Sequence, residues 1–66
     1  MQIQVNGQPR EVVENTTVAQ LLEQLALDHR SLAVECNTQL VPRREHGTHR
    51  LATGDRLEIV TLVGGG

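Results

Sequence analysis

One short stretch of this chain keeps a different rhythm from the residues around it, and that contrast limits the folds available. Val18, Leu21, Leu22 and Leu25 stand at i, i+3, i+4 and i+7, one stripe of a helix, with Gln20, Glu23 and Gln24 largely off it. Thr17 and Gln20 match a capping box, the threonine oxygen accepting from the Gln20 N–H while the glutamine reaches back. A helix over about 18–27 is predicted, its leucine stripe covering one face of a sheet. On either side the apolar residues alternate instead. Met1, Ile3 and Val5 alternate with Gln2 and Gln4, the period-two pattern of a half-buried strand. Asn6-Gly7 then signals a type I′ hairpin turn, in which both central residues need positive φ. The chain should return as a second strand near 10–14 with Val12 or Val13 inward, and Pro9 near its start places that strand at an edge.

After the helix the alternation resumes. Leu32, Val34 and Cys36 share one face of a predicted third strand, 37–39 reads as a turn, and 40–42 as a short strand ended by Pro42. Thr53-Gly54-Asp55 is a turn leading into a last strand, 56–63, in which Leu57 and Ile59 alternate with Arg56 and Glu58. Its outward positions then turn apolar at Val60 and Leu62. With the helix over the Leu57 face, those two residues lie on the open face and form a docking patch. The competing reading is a central strand buried on both sides. Hairpin, helix, two short strands, loop and long final strand make an α+β chain of the β-grasp, ubiquitin-like kind. It has a mixed sheet of four to five strands, one main helix across one face, and the last strand parallel to the first through a right-handed crossover. The domain is expected to run over 1–63, with 64–66 as a flexible glycine tail.

Composition narrows the function. Leu, Val and Ile supply about 29% of 66 residues, above the roughly 20% below which disorder is expected. A domain of this length buries only about 60% of its unfolded surface, which leaves no room for a large catalytic pocket. There is no Phe, Tyr or Trp to stack on bases, and the net charge is -2, so nucleic acid is not expected as a partner. No apolar run approaches membrane-span or signal-peptide length, and one cysteine cannot form an internal disulfide, so a cytoplasmic location is expected. Lysine is absent, so the chain offers no side-chain amine to receive another copy's carboxyl group.

Two features invite chemistry and are weak by themselves. Cys36 lacks a local cationic neighbour or helix start to lower its pKa, and core packing is the favoured reading over a nucleophile or sulfur acceptor. His46 and His49 lie in the one basic island, 42–50, where Arg43, Arg44 and Arg50 outnumber Glu45. With two histidines and no cysteine or carboxylate at ligand spacing, no metal site is expected. The island reads as a solvated loop or single helical turn able to dock an acidic partner surface, with Arg43 the candidate contact.

The chain ends in Gly64, Gly65 and Gly66. Three extended residues reach about 10 Å, far enough to carry a terminal carboxylate into another protein's active site. Without Cβ atoms they can thread a narrow channel. A carboxylate is a poor electrophile until activated, so the expected chemistry is activation by a nucleotide followed by nucleophilic attack. A frayed, inert end is the alternative.

Taken together, Met1-Gln2-Ile3, Val5-Asn6-Gly7, Thr17-Val18, Leu21-Leu22, Ala33-Val34, Asn37, Val41-Pro42-Arg43, Gly54-Asp55, Leu57-Glu58-Ile59 and Gly65-Gly66 resemble the ThiS family, sulfur carriers of thiamine thiazole biosynthesis in the ubiquitin-like superfamily. The resemblance spans nearly the whole chain. It departs at Glu45-His46-Gly47, where the family pattern often carries an aromatic soon after the Pro-Arg element. What it implies is a carried substrate, not an enzyme, with no bound cofactor. A ubiquitin-activating-enzyme-like (ThiF-like) adenylyltransferase would consume ATP to adenylate Gly66. A cysteine-derived sulfur donor would displace AMP to leave a thiocarboxylate, and a ThiG-like thiazole synthase would take the sulfur. On the same reading Gly64 and Gly65 thread the tail, while Val60, Leu62 and Arg43 dock the partner. The alternatives are a molybdopterin-synthase small-subunit-like carrier and a ubiquitin-like binding module with an inert tail.

Overall fold

The computed structural model describes residues 1–62 of the 66. The chain builds β1 (Gln2–Val5), β2 (Gln8–Glu11), α1 (Val18–Gln24), β3 (Leu32–Cys36), β4 (Gln39–Val41) and β5 (Arg56–Thr61), with single 3-10 turns at His29–Ser31 and Arg43–Glu45. The strands form one sheet in the order β2-β1-β5-β3-β4. β1 and β5 run parallel, and every other neighbouring pair is antiparallel. This is the expected β-grasp: five strands in a mixed sheet with one helix.

The first hairpin turns where expected, at Asn6 (φ 50°) and Gly7 (φ 82°). Its second strand, however, occupies Gln8–Glu11 and not 10–14. A two-residue turn fixes the register at once, pairing Val5 with Gln8 and Gln2 with Glu11. Met1 and Val12 close the ladder: Val12 N–H donates to the Met1 carbonyl at 2.9 Å, and the Met1 ammonium donates back to the Val12 carbonyl at 2.6 Å. Val12 is thereby buried and Val13 is 74% exposed, which settles the inward residue. β2 is an edge strand, and Pro9 lies in it opposite Gln4.

The capping box forms as read, with Gln20 N–H on Thr17 Oγ1 at 3.2 Å and Thr17 N–H on Gln20 Oε1 at 2.9 Å. Val18, Leu21 and Leu22 are buried against the sheet, and Leu25 packs partly against the same core. The helix stops at Gln24, three residues short of the expected 27. Ala26 takes a left-handed conformation (φ 58°), its N–H donating to Glu23 O at 3.0 Å while Leu27 N–H reaches Leu22 O at 2.9 Å. That pair of bonds is a Schellman motif, and it satisfies terminal carbonyls while reversing the chain.

β3 buries Leu32, Val34 and Cys36 as expected, and the following turn is Asn37 (φ 53°) and Thr38 (φ 72°), so β4 begins at Gln39. Pro42 ends β4 and heads the 3-10 turn in the basic island. His46 corrects the solvated-loop reading. It is buried at 2% exposure, its ring Nε2 is 3.1 Å from Val41 O, and its own carbonyl accepts Ala19 N–H at 2.8 Å. His46, three residues after Arg43, thus plugs the space between β4 and the start of α1. Leu51, drawn in by Leu51 N–H to Thr16 O at 2.8 Å, completes the core.

Among the described residues no helix is long and apolar enough to cross a membrane.

Candidate functional site

β5 is the middle strand of the sheet and the element that leads toward the glycines. Asparagines from both hairpin turns hold it. Asn6 aligns its side-chain amide along β5, Oδ1 accepting Ile59 N–H at 2.7 Å and Nδ2 donating to Ile59 O at 3.2 Å, while its backbone N–H reaches Leu57 O at 2.8 Å. Asn37 does the same at the strand's start: Arg56 N–H donates to Asn37 Oδ1 at 3.0 Å, and Asn37 N–H to Arg56 O at 2.8 Å. Positive φ lets each of these residues turn its short amide back onto the strand. The signal was present in the sequence as two asparagines at hairpin tips, but their shared target is visible only in three dimensions.

On the face away from α1, Ala33 lies opposite Val60, and Leu40 opposite Glu35. Val60 is 58% exposed, Leu62 54% and Leu40 65%. The outward apolar residues of β5 are therefore exposed although the strand is central, because nothing among the described residues covers that face. Leu40 and Ala33 extend the patch through strand pairing that the sequence does not display. Glu35 faces Glu58 directly, an unfavourable like-charge pair at the patch border. Arg43 is exposed in the 3-10 turn that follows β4, at the end of the sheet from which β5 leaves. Val63, Gly64, Gly65 and Gly66, which include the expected threading and modified positions, lie outside the described residues.

A second group of reactive side chains gathers at the opposite end of β5. Cys36 Sγ, a ring nitrogen of His49 and a carboxylate oxygen of Asp55 lie within 4.8 Å of one another. Burial first, then the neighbouring Asp55 carboxylate, push the Cys36 thiol up to about 11, so it remains protonated and is no nucleophile at neutral pH. Asp55 is itself held, Oδ1 accepting from Asn37 Nδ2 at 3.0 Å and Oδ2 from Ala52 N–H at 2.8 Å.

The ThiS family model matches residues 3–66. The chain belongs to the ThiS family. The sulfur carrier protein ThiS of Escherichia coli K12 is 35% identical over 66 residues, with both chains covered in full. The crystal structure of the thiamine biosynthesis protein ThiS from Geobacter metallireducens superposes with a TM-score of 0.86 at 30% identity, again covering 100% of each chain. A thiazole synthase of Paramagnetospirillum magneticum is 39% identical over 66 residues, and there the chain spans only 20% of the relative's length. A ThiS-like segment thus also occurs within much longer proteins named thiazole synthase.

Proposed function

We propose that this ThiS-family chain is a sulfur carrier for thiazole formation in thiamine biosynthesis, and that the Gly66 carboxyl group carries the sulfur. The observation that carries the reading is β5: a central strand, clamped by Asn6 and Asn37, whose exposed Val60, with exposed Leu62 just past its end, lies a few residues before the glycines. A carrier needs a rigid base, an adhesive surface near the reactive end and a slender terminus, and this strand joins all three. It is a substrate of other proteins' catalysis, not an enzyme.

The chemistry asks little of the carrier's side chains. Attack of the Gly66 carboxylate on the α-phosphorus of ATP expels pyrophosphate and gives an acyl-adenylate. Hydrosulfide-level sulfur, ultimately derived from cysteine, then adds to the acyl carbon, and AMP leaves with one former carboxyl oxygen while the sulfur's proton goes to solvent. The resulting thiocarboxylate passes its sulfur to a thiazole synthase. The relatives of that name that contain a ThiS-like segment favour this acceptor over the large subunit of molybdopterin synthase. A protonated, buried Cys36 and the absence of lysine leave no strong nucleophile on the carrier to consume its own adenylate. Gly64 and Gly65 thread the adenylyltransferase channel, while Val60, Leu62 and Arg43 dock its surface.

Tag-free protein incubated with its adenylyltransferase, ATP and a sulfur donor should gain, by intact mass spectrometry, the difference between sulfur and oxygen. Gly65→Val and deletion of Gly66 should abolish that gain with the fold unchanged, and Val60→Arg should raise the KM for loading. An unmodified mass under conditions that load another ThiS protein would overturn the proposal in favour of an inert-tailed binding module.

A further inference from the structure

The Cys36, His49 and Asp55 side chains converge from three separate segments: the end of β3, the loop after the 3-10 turn of the basic island, and the turn before β5. From their spatial convergence we infer that these three residues form a binding site for a zinc-type divalent cation, with a fourth position open to water. Thiolate sulfur, imidazole nitrogen and carboxylate oxygen are all ligands that zinc accepts. Atoms sharing one tetrahedral zinc at ordinary bond lengths stand about 3.5 Å apart. Ligand atoms already within 4.8 Å of one another therefore need only side-chain adjustments to close around an ion.

The backbone under each ligand is fixed. Cys36 pairs with Leu57 on one side and Gln39 on the other. His49 donates its N–H to Glu45 O at 2.8 Å and accepts Val18 N–H at 3.0 Å. Asp55 donates to Ala52 O at 3.0 Å and accepts Gln4 N–H at 2.9 Å. The Asn37 and Ala52 donors on its carboxylate are the outer partners that orient a ligating carboxylate and leave lone pairs for the ion. Binding exchanges the thiol proton for the metal: the S–H bond breaks, the proton goes to solvent, and the sulfur–metal bond forms with no change of oxidation state. Thiolate and Asp55 together neutralise the two positive charges.

The site lies at the strand's start, away from the exit at Leu62. It ties β3, the 46–51 loop and the root of β5 together in a domain too small for a large core and without a disulfide.

The test uses the full-length, tag-free, reduced protein after chelator treatment, titrated with cobalt(II) and then zinc(II). The expected result is one cobalt per chain with a thiolate-to-cobalt charge-transfer band, its displacement by zinc, and a Tm that rises with zinc concentration. His49→Ala, or His49→Gln if the alanine variant loses its native circular dichroism, should weaken cobalt binding at least tenfold and flatten the Tm response. Asp55→Asn should weaken it while keeping the band, and Cys36→Ser should remove the band. No band at a stoichiometric ratio would overturn the site. So would equal titrations of native and His49 variants, because His49 would then be no ligand and the three-residue site would not exist.

Discussion

The clamp on β5 has a measurable strength. Asn6→Gly keeps the positive φ of the turn but deletes both hydrogen bonds to Ile59, at 2.7 and 3.2 Å. Each is worth about 1 kcal/mol net, and the Ile59 groups are part-buried, so the loss should be about 2 kcal/mol. Asn6→Ala deletes the same bonds and forces a Cβ-bearing residue without a compensating amide into the left-handed region, adding about 1 kcal/mol. Asn6→Asp should fall between native and glycine, since a carboxylate still accepts Ile59 N–H but cannot donate to Ile59 O. For a domain of this length 1 kcal/mol shifts Tm by about 4–8 °C, so the glycine variant should melt about 10 °C lower. Urea unfolding would rank the set, and amide hydrogen exchange would localise it. The Ile59 N–H, which bonds Asn6 and lies on the side of β5 away from β3, should lose protection in the glycine variant before the amides of β3 do. A glycine variant within about 0.5 kcal/mol of native, or alanine no worse than glycine, would refute the assignment of stability to those two bonds.

Further outcomes follow from other positions. Thr38→Gly should raise stability by about 1 kcal/mol in urea unfolding, because a β-branched residue holds φ 72° in the β3–β4 turn. Ala26→Gly should raise it by about 0.5–1 kcal/mol, since the residue sits at φ 58° in the left-handed position of the Schellman motif. In metal-free protein the raised Cys36 pKa makes stability decline as pH rises. The unfolded thiol ionises near 9.0 while the folded one holds its proton to about 11, so the urea midpoint should fall across that interval and fall less in Cys36→Ala.

The parts legible in sequence were those whose cause is local. The capping box at Thr17 and Gln20, the Asn6-Gly7 turn and the alternation of Leu57 and Ile59 each state their structure within a few residues. What escaped was set at a distance. β2 occupies Gln8–Glu11 because its pairing with β1, from Val5 opposite Gln8 to Gln2 opposite Glu11, sets its bounds. α1 ends early because an alanine, which gives no warning, takes the turn that glycine usually marks. His46 looked solvated among charged neighbours, yet the Ala19-to-His46 and Val41-to-His46 bonds hold it in the core. His49 has Glu45 and His46 close by in the sequence, but the ligand-type side chains beside it in space are Cys36 and Asp55. They arrive because the Thr17–Arg50 bridge and the β3–β5 pairing bring residues 36, 49 and 55 to one place.

The two sides of β5 are unequal, and that inequality bears on how a carrier presents its end. Toward β3 the pairing runs the whole strand, from Cys36 opposite Leu57 to Leu32 opposite Thr61, and continues as Leu62 N–H to Ser31 O at 2.8 Å. Toward β1 the backbone pairing stops at Val5 opposite Leu57, and only the Asn6 side chain carries it on to Ile59. From Thr61 onward β1 no longer reaches the strand. The strand is therefore anchored on one side up to Leu62, while its other edge is open to main-chain hydrogen bonding by a second protein. Val60 and Leu62 lie on the sheet face that borders this edge, so the side chains that would bind a partner and the backbone groups that would align it belong to the same few residues. Lengthening β1 by one pairable residue would close the edge and stiffen the strand, but it would remove the place where the partner can take hold.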